Sequence, residues 1–460
     1  MIKSRSVVRE MKQAAQIRRG LLAGTLIATV GLTGCGFGDE GQAPTWRAEL
    51  EIAKVKATGA TADSVILWAD KTVIGLDRRT GRQRWSYRHP FERFSYAIRQ
   101  VKVAGDVVVL TNAGTEEPGN SPGRGGWLMA LDAATGRTLW KDSLRNGEVT
   151  VFKDAVYTSD CPKACTVSRR DLRTGRPSWT LPAQPDTWVS YNKLFQKYVN
   201  EIDTRPSGRH LLLLSKPSQL KDKRKPTATT VDATTGRRTA QVQYRSGDPG
   251  IASNFLVITE REGKQRSCRY SIGIHDLRHE KRQGRVRLPF YNSGRMCRLK
   301  STPAHEYGTA SDAFLFATRS ARTQAFDLKT RKPRWTARQR GVPIGADERI
   351  VLTAHGTGEK SSTVRALDES TGQQMWQAGG ASVDDMEFHD YQPLVGGSVL
   401  LWWSDDEDDQ HGVVRDASTG KKRWDLPRTS HWHIQSGDNW FYLGGWEDGT
   451  FNLHFYDLSR

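Results

Sequence analysis

Five carboxylates stand together at Asp405-Asp406-Glu407-Asp408-Asp409, and two imidazoles alternate at His431 and His433. An oxygen-rich loop can hold Ca²⁺, but this run lacks the alternating ligand spacing and the glycine of an EF-hand, so a solvated acidic loop is expected. His431 and His433 fall on one face of a strand because side chains alternate. A metal there needs a third ligand that the sequence does not identify. The basic run Lys221-Asp222-Lys223-Arg224-Lys225 ends at Pro226 and reads as a loop. It shares one long interval with Trp188-Val189-Ser190-Tyr191. Basic and aromatic residues together suit an interface with an acidic partner, which makes Lys221, Lys223, Arg224 and Lys225 candidate partner-binding residues. Packing of this stretch against its own blade is the competing reading. No Gly-rich phosphate loop, nucleophile elbow or zinc-protease helix occurs. No catalytic, cofactor-binding or metal-ligating residue is assigned.

The remaining reactive side chains are thiols. Leu32-Thr33-Gly34-Cys35 has the small residues and terminal cysteine of a bacterial lipobox. It follows a basic stretch with Lys3, Arg5, Arg9, Lys12, Arg18 and Arg19 and an apolar run from Leu21 to Leu32. Twelve apolar residues are too few to span a bilayer as a mature helix, so residues 1–34 are expected to be a lipoprotein signal peptide and Cys35 the lipidated residue. Arg18-Arg19 also faintly resembles a twin-arginine export signal. Gly-rich, polar residues 35–44 form a tether, and 45–460 form the folded domain. Cys161, Cys165, Cys268 and Cys297 remain, an even number that in an oxidising compartment suggests two disulfides. Cys161–Cys165 and Cys268–Cys297 are expected, with other pairings open. Zinc binding by the four is the alternative, although no CxxC spacing supports it.

The net charge of +18 falls to +13 once residues 1–34 are removed. Such a surface attracts anionic headgroups or envelope polymers, and export makes nucleic acid an unsuitable partner.

What positions these residues is a repeat. In Trp127-Leu128-Met129-Ala130-Leu131-Asp132-Ala133-Ala134-Thr135-Gly136-Arg137-Thr138-Leu139-Trp140 an apolar strand runs into an Asx-type turn, closed by Gly136, and returns to a tryptophan. Aspartates at 77, 132, 171, 232, 276, 327, 368, 416 and 457 head similar units, at a mean spacing of 47.5 residues. Copies at 232, 276 and 327 have each lost an expected residue. Short β-branched or apolar runs precede the copies, as in Val107-Val108-Val109-Leu110. A period of about 40–50 residues of strands and turns is the signature of a β-propeller with four strands per blade. Thr45-Trp46-Arg47-Ala48 looks like an orphan return strand, and the Asp457 copy lacks one. Pairing the two would close the ring and remove an open edge.

The unit Ala130-Leu131-Asp132-x-x-Thr135-Gly136-x-x-x-Trp140 resembles the repeat of the PQQ-like β-propeller family, which includes quinoprotein alcohol dehydrogenases and the non-catalytic outer-membrane assembly lipoprotein BamB. The resemblance covers the chain from about Trp46 onward. It implies an all-β propeller of four-stranded antiparallel blades, eight by the family's usual count, or nine if the worn Asp276 copy is a full blade. It does not carry over a quinone site, because the adjacent cysteines of those dehydrogenases and their haem-binding motif are missing here. The expected function is a monomeric, membrane-anchored, extracytoplasmic scaffold that binds a protein or an anionic envelope partner and needs no cofactor. The alternatives are an oxidoreductase using PQQ, Ca²⁺ or another metal, and a BamB-like assembly factor at an outer membrane.

Overall fold

In the computed structural model the described residues run from Pro44 to Ser459 with interruptions, the longest at 89–97, 113–125, 191–208, 216–224, 289–306 and 382–393. Among the described residues the strands form nine four-stranded antiparallel sheets and no helix. Blade one consists of Val55–Ala60, Ser64–Ala69, Thr72–Asp77 and Gln83–Arg88. Blades two to eight span 100–144, 149–182, 187–243, 248–288, 307–336, 342–381 and 394–429. Blade nine takes three strands from 432–457 and its fourth, outer strand from Trp46–Leu50. Nine blades replace the expected eight, because the worn Asp276 copy builds a complete sheet from Asp248–Ala252, Phe255–Glu262, Arg269–Asp276 and Lys281–Leu288.

The closure expected from Trp46 is present. Trp46 pairs in register with Phe455 and stacks on it, ring centroids 5.0 Å apart. Arg78 of blade one then ion-pairs with Asp457 of blade nine at 3.0 Å.

A single hairpin cannot bury both of its faces, and the solution here is serial. Nine apolar clusters fill the gaps between neighbouring sheets, one per gap. One joins blades one and two through Trp68, Trp85, Val108 and Met129. Another joins blades eight and nine through Leu400, Val414, Phe441 and Tyr456. A third joins nine and one through Trp46, Leu67, Leu76 and Phe455. Among the described residues each of these clusters lies between two blades, so the ring is held by its circumference. The first strand of each blade is innermost. In blade three it is Val149–Phe152, whose Thr150 hydroxyl donates to the Val189 carbonyl in the first strand of blade four, Thr187–Ser190.

Candidate binding faces

The aspartate of each repeat spends its carboxylate on its own turn. Asp368 Oδ1 accepts from the backbone N–H of Ser370 and Thr371 and from both hydroxyls, at 2.7–3.1 Å. Its carbonyl accepts from Gly372 N–H. The Ser370 and Thr371 hydroxyls hold its carboxyl below the usual range. Thr174 does this for Asp171, and Ser418 with Arg423 for Asp416. A carboxylate so saturated is a poor general acid or metal ligand.

Glycine in the turn and tryptophan on the outer strand form one device shared by two blades. Trp376 of blade seven donates Nε1–H to the Ala417 carbonyl of blade eight at 2.8 Å, and its ring lies flat on Gly420. Gly420 has φ +69°, and a Cβ there would sit 2.5 Å from the ring. The same lock joins Trp46 to Gly81, Trp85 to Gly136, Trp140 to Gly175, Trp179 to Gly236 and Trp335 to Gly372. The worn copies follow from it. Blade four has Ala240 at the tryptophan position, and blade five has Glu280 at the glycine position. Blade five has Gly284 at the tryptophan position, and blade six has Arg331 at the glycine position. At that second seam the contact is inverted, with the Arg331 guanidinium lying 3.7 Å from where a Gly284 Cβ would be. These tryptophans are structural.

The ring therefore has two unlike ends. At one end lie the Asp turns and, between first and second strands, connections of two or three residues, apart from 191–209. At the other end, here the loop end, lie the connections between second and third strands and between blades. They include 89–99, 112–125, 216–226, 289–306 and 382–393.

Both charged runs belong to the loop end. Ser215 and Thr227 flank the connection that carries Lys221, Lys223, Arg224 and Lys225 in blade four; Lys225 is exposed and the other three lie outside the described residues. Ser404 and Gln410 flank Asp405–Asp409 in blade eight, also outside the described residues. Blades four and eight, whose strands flank these runs, have three blades between them one way round the ring and four the other. A groove of about 250 Å³ lies beside the basic connection, lined by Pro182, Thr187, Ser215, Thr227, Arg238 and Gln241. Trp188 and Val189 are part of the inner strand of blade four, which ends with Ser190 at the Asp-turn end, and 191–208 lie outside the described residues.

Cys165 is disulfide-bonded at the loop end of blade three, while Cys35, Cys161, Cys268 and Cys297 lie outside the described residues. His433 pairs in register with Gly444 in blade nine, and His431 lies outside the described residues. Among the described residues no group of three or more His, Cys, Asp and Glu side chains could hold a metal ion.

One feature of the loop end escapes sequence reasoning. The turn 318–322 and the connection 337–341 of blade six are hydrogen-bonded together, Gly341 N–H to the Ala321 carbonyl at 2.6 Å and Thr323 Oγ1–H to the Gly341 carbonyl at 2.8 Å. These two adjoining segments carry Arg319, Arg322, Arg338 and Arg340, all exposed. In sequence these are scattered single arginines, with no run to draw the eye.

The family described as outer membrane protein assembly factor BamB matches residues 35–186, 69–256 and 224–435, overlapping segments that together cover most of the chain. No curated protein matches it. Among solved structures, BamB from Moraxella catarrhalis is 14% identical with a TM-score of 0.38, over 88% of this chain and 94% of that one. The quinohemoprotein alcohol dehydrogenase ADHIIG from Pseudomonas putida HK5 is 13% identical with a TM-score of 0.43, over 90% and 76%. A europium-containing methanol dehydrogenase is 12% identical with a TM-score of 0.37, over 86% and 84%.

Proposed function

Because this chain belongs to the family of the outer membrane protein assembly factor BamB, we propose that it is a non-catalytic scaffold, lipid-anchored at Cys35 on the extracytoplasmic face of a membrane, that binds a partner protein through its loop end. The observation that carries this reading is the division of labour between the two ends. The aspartates and tryptophans of the repeats are consumed by turns and blade seams, and the longer connections gather on one face of a rigid ring. Recognition residues collect on such loops. Processing at Cys35, a Cys161–Cys165 bridge beside the groove and a Cys268–Cys297 bridge belong to the same proposal. In a cell with two membranes, Gly36 after the lipidated cysteine permits sorting to the outer one, where the role is assembly of membrane proteins.

The test has two arms. Cys35→Ala should release the protein from membranes or leave its precursor uncut; unchanged processing and retention would refute the anchor. Photo-crosslinkers placed at loop-end positions should capture a protein partner, whereas positions on the Asp turns should not. Stoichiometric PQQ binding with Ca²⁺ and dye-linked turnover of alcohols or sugars would replace the scaffold with an oxidoreductase.

A further inference from the structure

We propose that Arg319, Arg322, Arg338 and Arg340 of blade six form a docking platform for an acidic segment of the partner protein, an inference that rests on the scaffold reading above. The first argument is contrast. Several arginines of the ring are committed to carboxylates: Arg78 to Asp457, Arg169 to Asp154, Arg170 to Asp142, Arg334 to Asp327 and Glu369, Arg423 to Asp416. Among the described residues the four platform arginines form no ion pair and no side-chain hydrogen bond, and all are exposed. Like charges held close together without counter-charges raise the local potential and favour an anionic ligand.

The second argument is rigidity. The turn 318–322 closes on itself through Thr318 and Arg322, and it is zipped to 337–341 by the two bonds described above. Arg365 of blade seven braces the platform from outside, donating Nη1–H to the Arg340 carbonyl at 2.9 Å and Nε–H to Gln377 Oε1 at 3.1 Å. The backbone that carries the four guanidinium groups is therefore ordered before any ligand arrives. Guanidinium forks on a fixed backbone suit carboxylates, which they can bind in a bidentate manner.

The third argument selects the occupant. Loop-end connections between 161 and 341 carry sixteen Lys and Arg against three Asp and Glu. Those between 357 and 449 carry one against eleven. A long uniform polyanion crossing the face would run from attraction into repulsion. A protein segment of limited length, acidic where it meets the four arginines of blade six, fits this charge distribution. A lipid surface suits this face poorly. The described chain begins at the opposite end, where Thr45 Oγ1 accepts from Asp457 N–H.

The test uses the mature chain, an octa-aspartate peptide as probe and inorganic polyphosphate as rival. Arg338→Glu/Arg340→Glu and Arg319→Glu/Arg322→Glu should each weaken peptide binding by about tenfold or more, with loss of affinity as salt rises from about 50 to 200 mM. The Arg→Gln counterparts, which remove charge without adding repulsion, should weaken it less and melt like the parent. Peptide binding that is indifferent to all four arginines overturns the assignment, as does tighter, arginine-dependent binding of polyphosphate. In cells, a photo-crosslinker at Ser320 should capture the partner, and Arg338→Glu/Arg340→Glu should abolish capture. Capture that persists in the charge-reversed variant sinks the platform but leaves the scaffold standing. Absence of capture from every loop-end position sinks both.

Discussion

At the scale of single residues, the molecule turns on one contact, tryptophan on glycine. Gly420 satisfies two demands at once, a left-handed φ and a surface flat enough for the Trp376 ring. Trp376→Ala should cost about 3–5 kcal/mol, the usual penalty for emptying a buried aromatic site. Gly420→Ala should also destabilise, through backbone strain of about 1–2 kcal/mol and a collision with the ring. In the double variant the collision is gone, so the two losses should add to less than their sum in denaturant melts. Strict additivity would mean that the ring and the glycine do not touch. A second residue sets a pH dependence. Burial, with the nearby charge of Arg47, lowers His454 from 6.5 to about 4. The folded chain holds this ring neutral while the unfolded chain protonates it. His454 therefore stabilises fully above about pH 6.5, and that contribution is lost as pH falls towards 4. The full shift corresponds to roughly 3 kcal/mol, and the partial exposure of the residue reduces it. His454→Gln should flatten the fall in melting temperature between pH 6.5 and 4; an unchanged slope would assign it to other groups.

At the scale of elements, each blade is a four-stranded sheet whose stability is borrowed from both neighbours, as in other stacked repeats. Six seams carry the tryptophan lock. Blade five carries it on neither side, since Ala240, Gly284 and Arg331 occupy the lock positions around it. Its seams are filled by apolar packing, Leu212, Ile251, Leu256 and Ile258 towards blade four and Phe255, Ile272, Phe314 and Phe326 towards blade six. Local opening should therefore begin there. Amide exchange should be faster in the second strand of blade five, Phe255–Glu262, than in its counterparts Val107–Thr111 and Ile350–Gly356. Equal protection in the three strands would show that the locks do not set local stability. The Asx turns persist in the worn copies, because Asp276 still accepts from Arg278 N–H and Asp327 from Thr330 N–H.

At the scale of the whole molecule, closure decides whether the ring exists. Among the described strands Trp46–Leu50 alone is an outer strand supplied from a distant part of the chain, and it covers the edge of Thr450–Asp457. The ion pair across this seam is well shielded, with the Arg78 and Asp457 side chains 10% and 7% exposed. Arg78 also reaches the Thr61 carbonyl at 2.7 Å and Asn439 Oδ1 at 3.3 Å. Asp457→Asn leaves that guanidinium without its counter-charge and should cost about 3 kcal/mol. A loss of similar size at low and high salt is expected for so buried a pair, whereas a loss that vanishes in salt would mark it as a surface contact. At the seam between blades eight and nine the Trp424 indole N–H is buried without an acceptor among the described residues.

Local chemistry made much of this visible beforehand. An Asx turn, a left-handed glycine and a tryptophan at fixed offsets are satisfied within about ten residues, so the repeat, its period and the closing role of Trp46 could be read directly from the chain. The number of blades could not. Asp276 keeps its turn but lacks the glycine and tryptophan, and only the pairing of Lys281–Leu288 with Arg269–Asp276 shows that a full sheet survives. The paired losses at Ala240, Glu280, Gly284 and Arg331 looked like drift in single copies, because the two halves of each lock lie about forty residues apart in different units. Charge was the least local property of all. Lys221–Lys225 and Asp405–Asp409 stood out as runs, but that they share one end of the ring, in blades four and eight, follows from strand order alone. Arg319, Arg322, Arg338 and Arg340 form no run, and the hydrogen bonds that close 318–322 against 337–341 are what bring them together. Sequence determined the unit, through interactions that a short segment can complete. Tertiary structure decided the count, the seams and the charged face, because each depends on which units become neighbours.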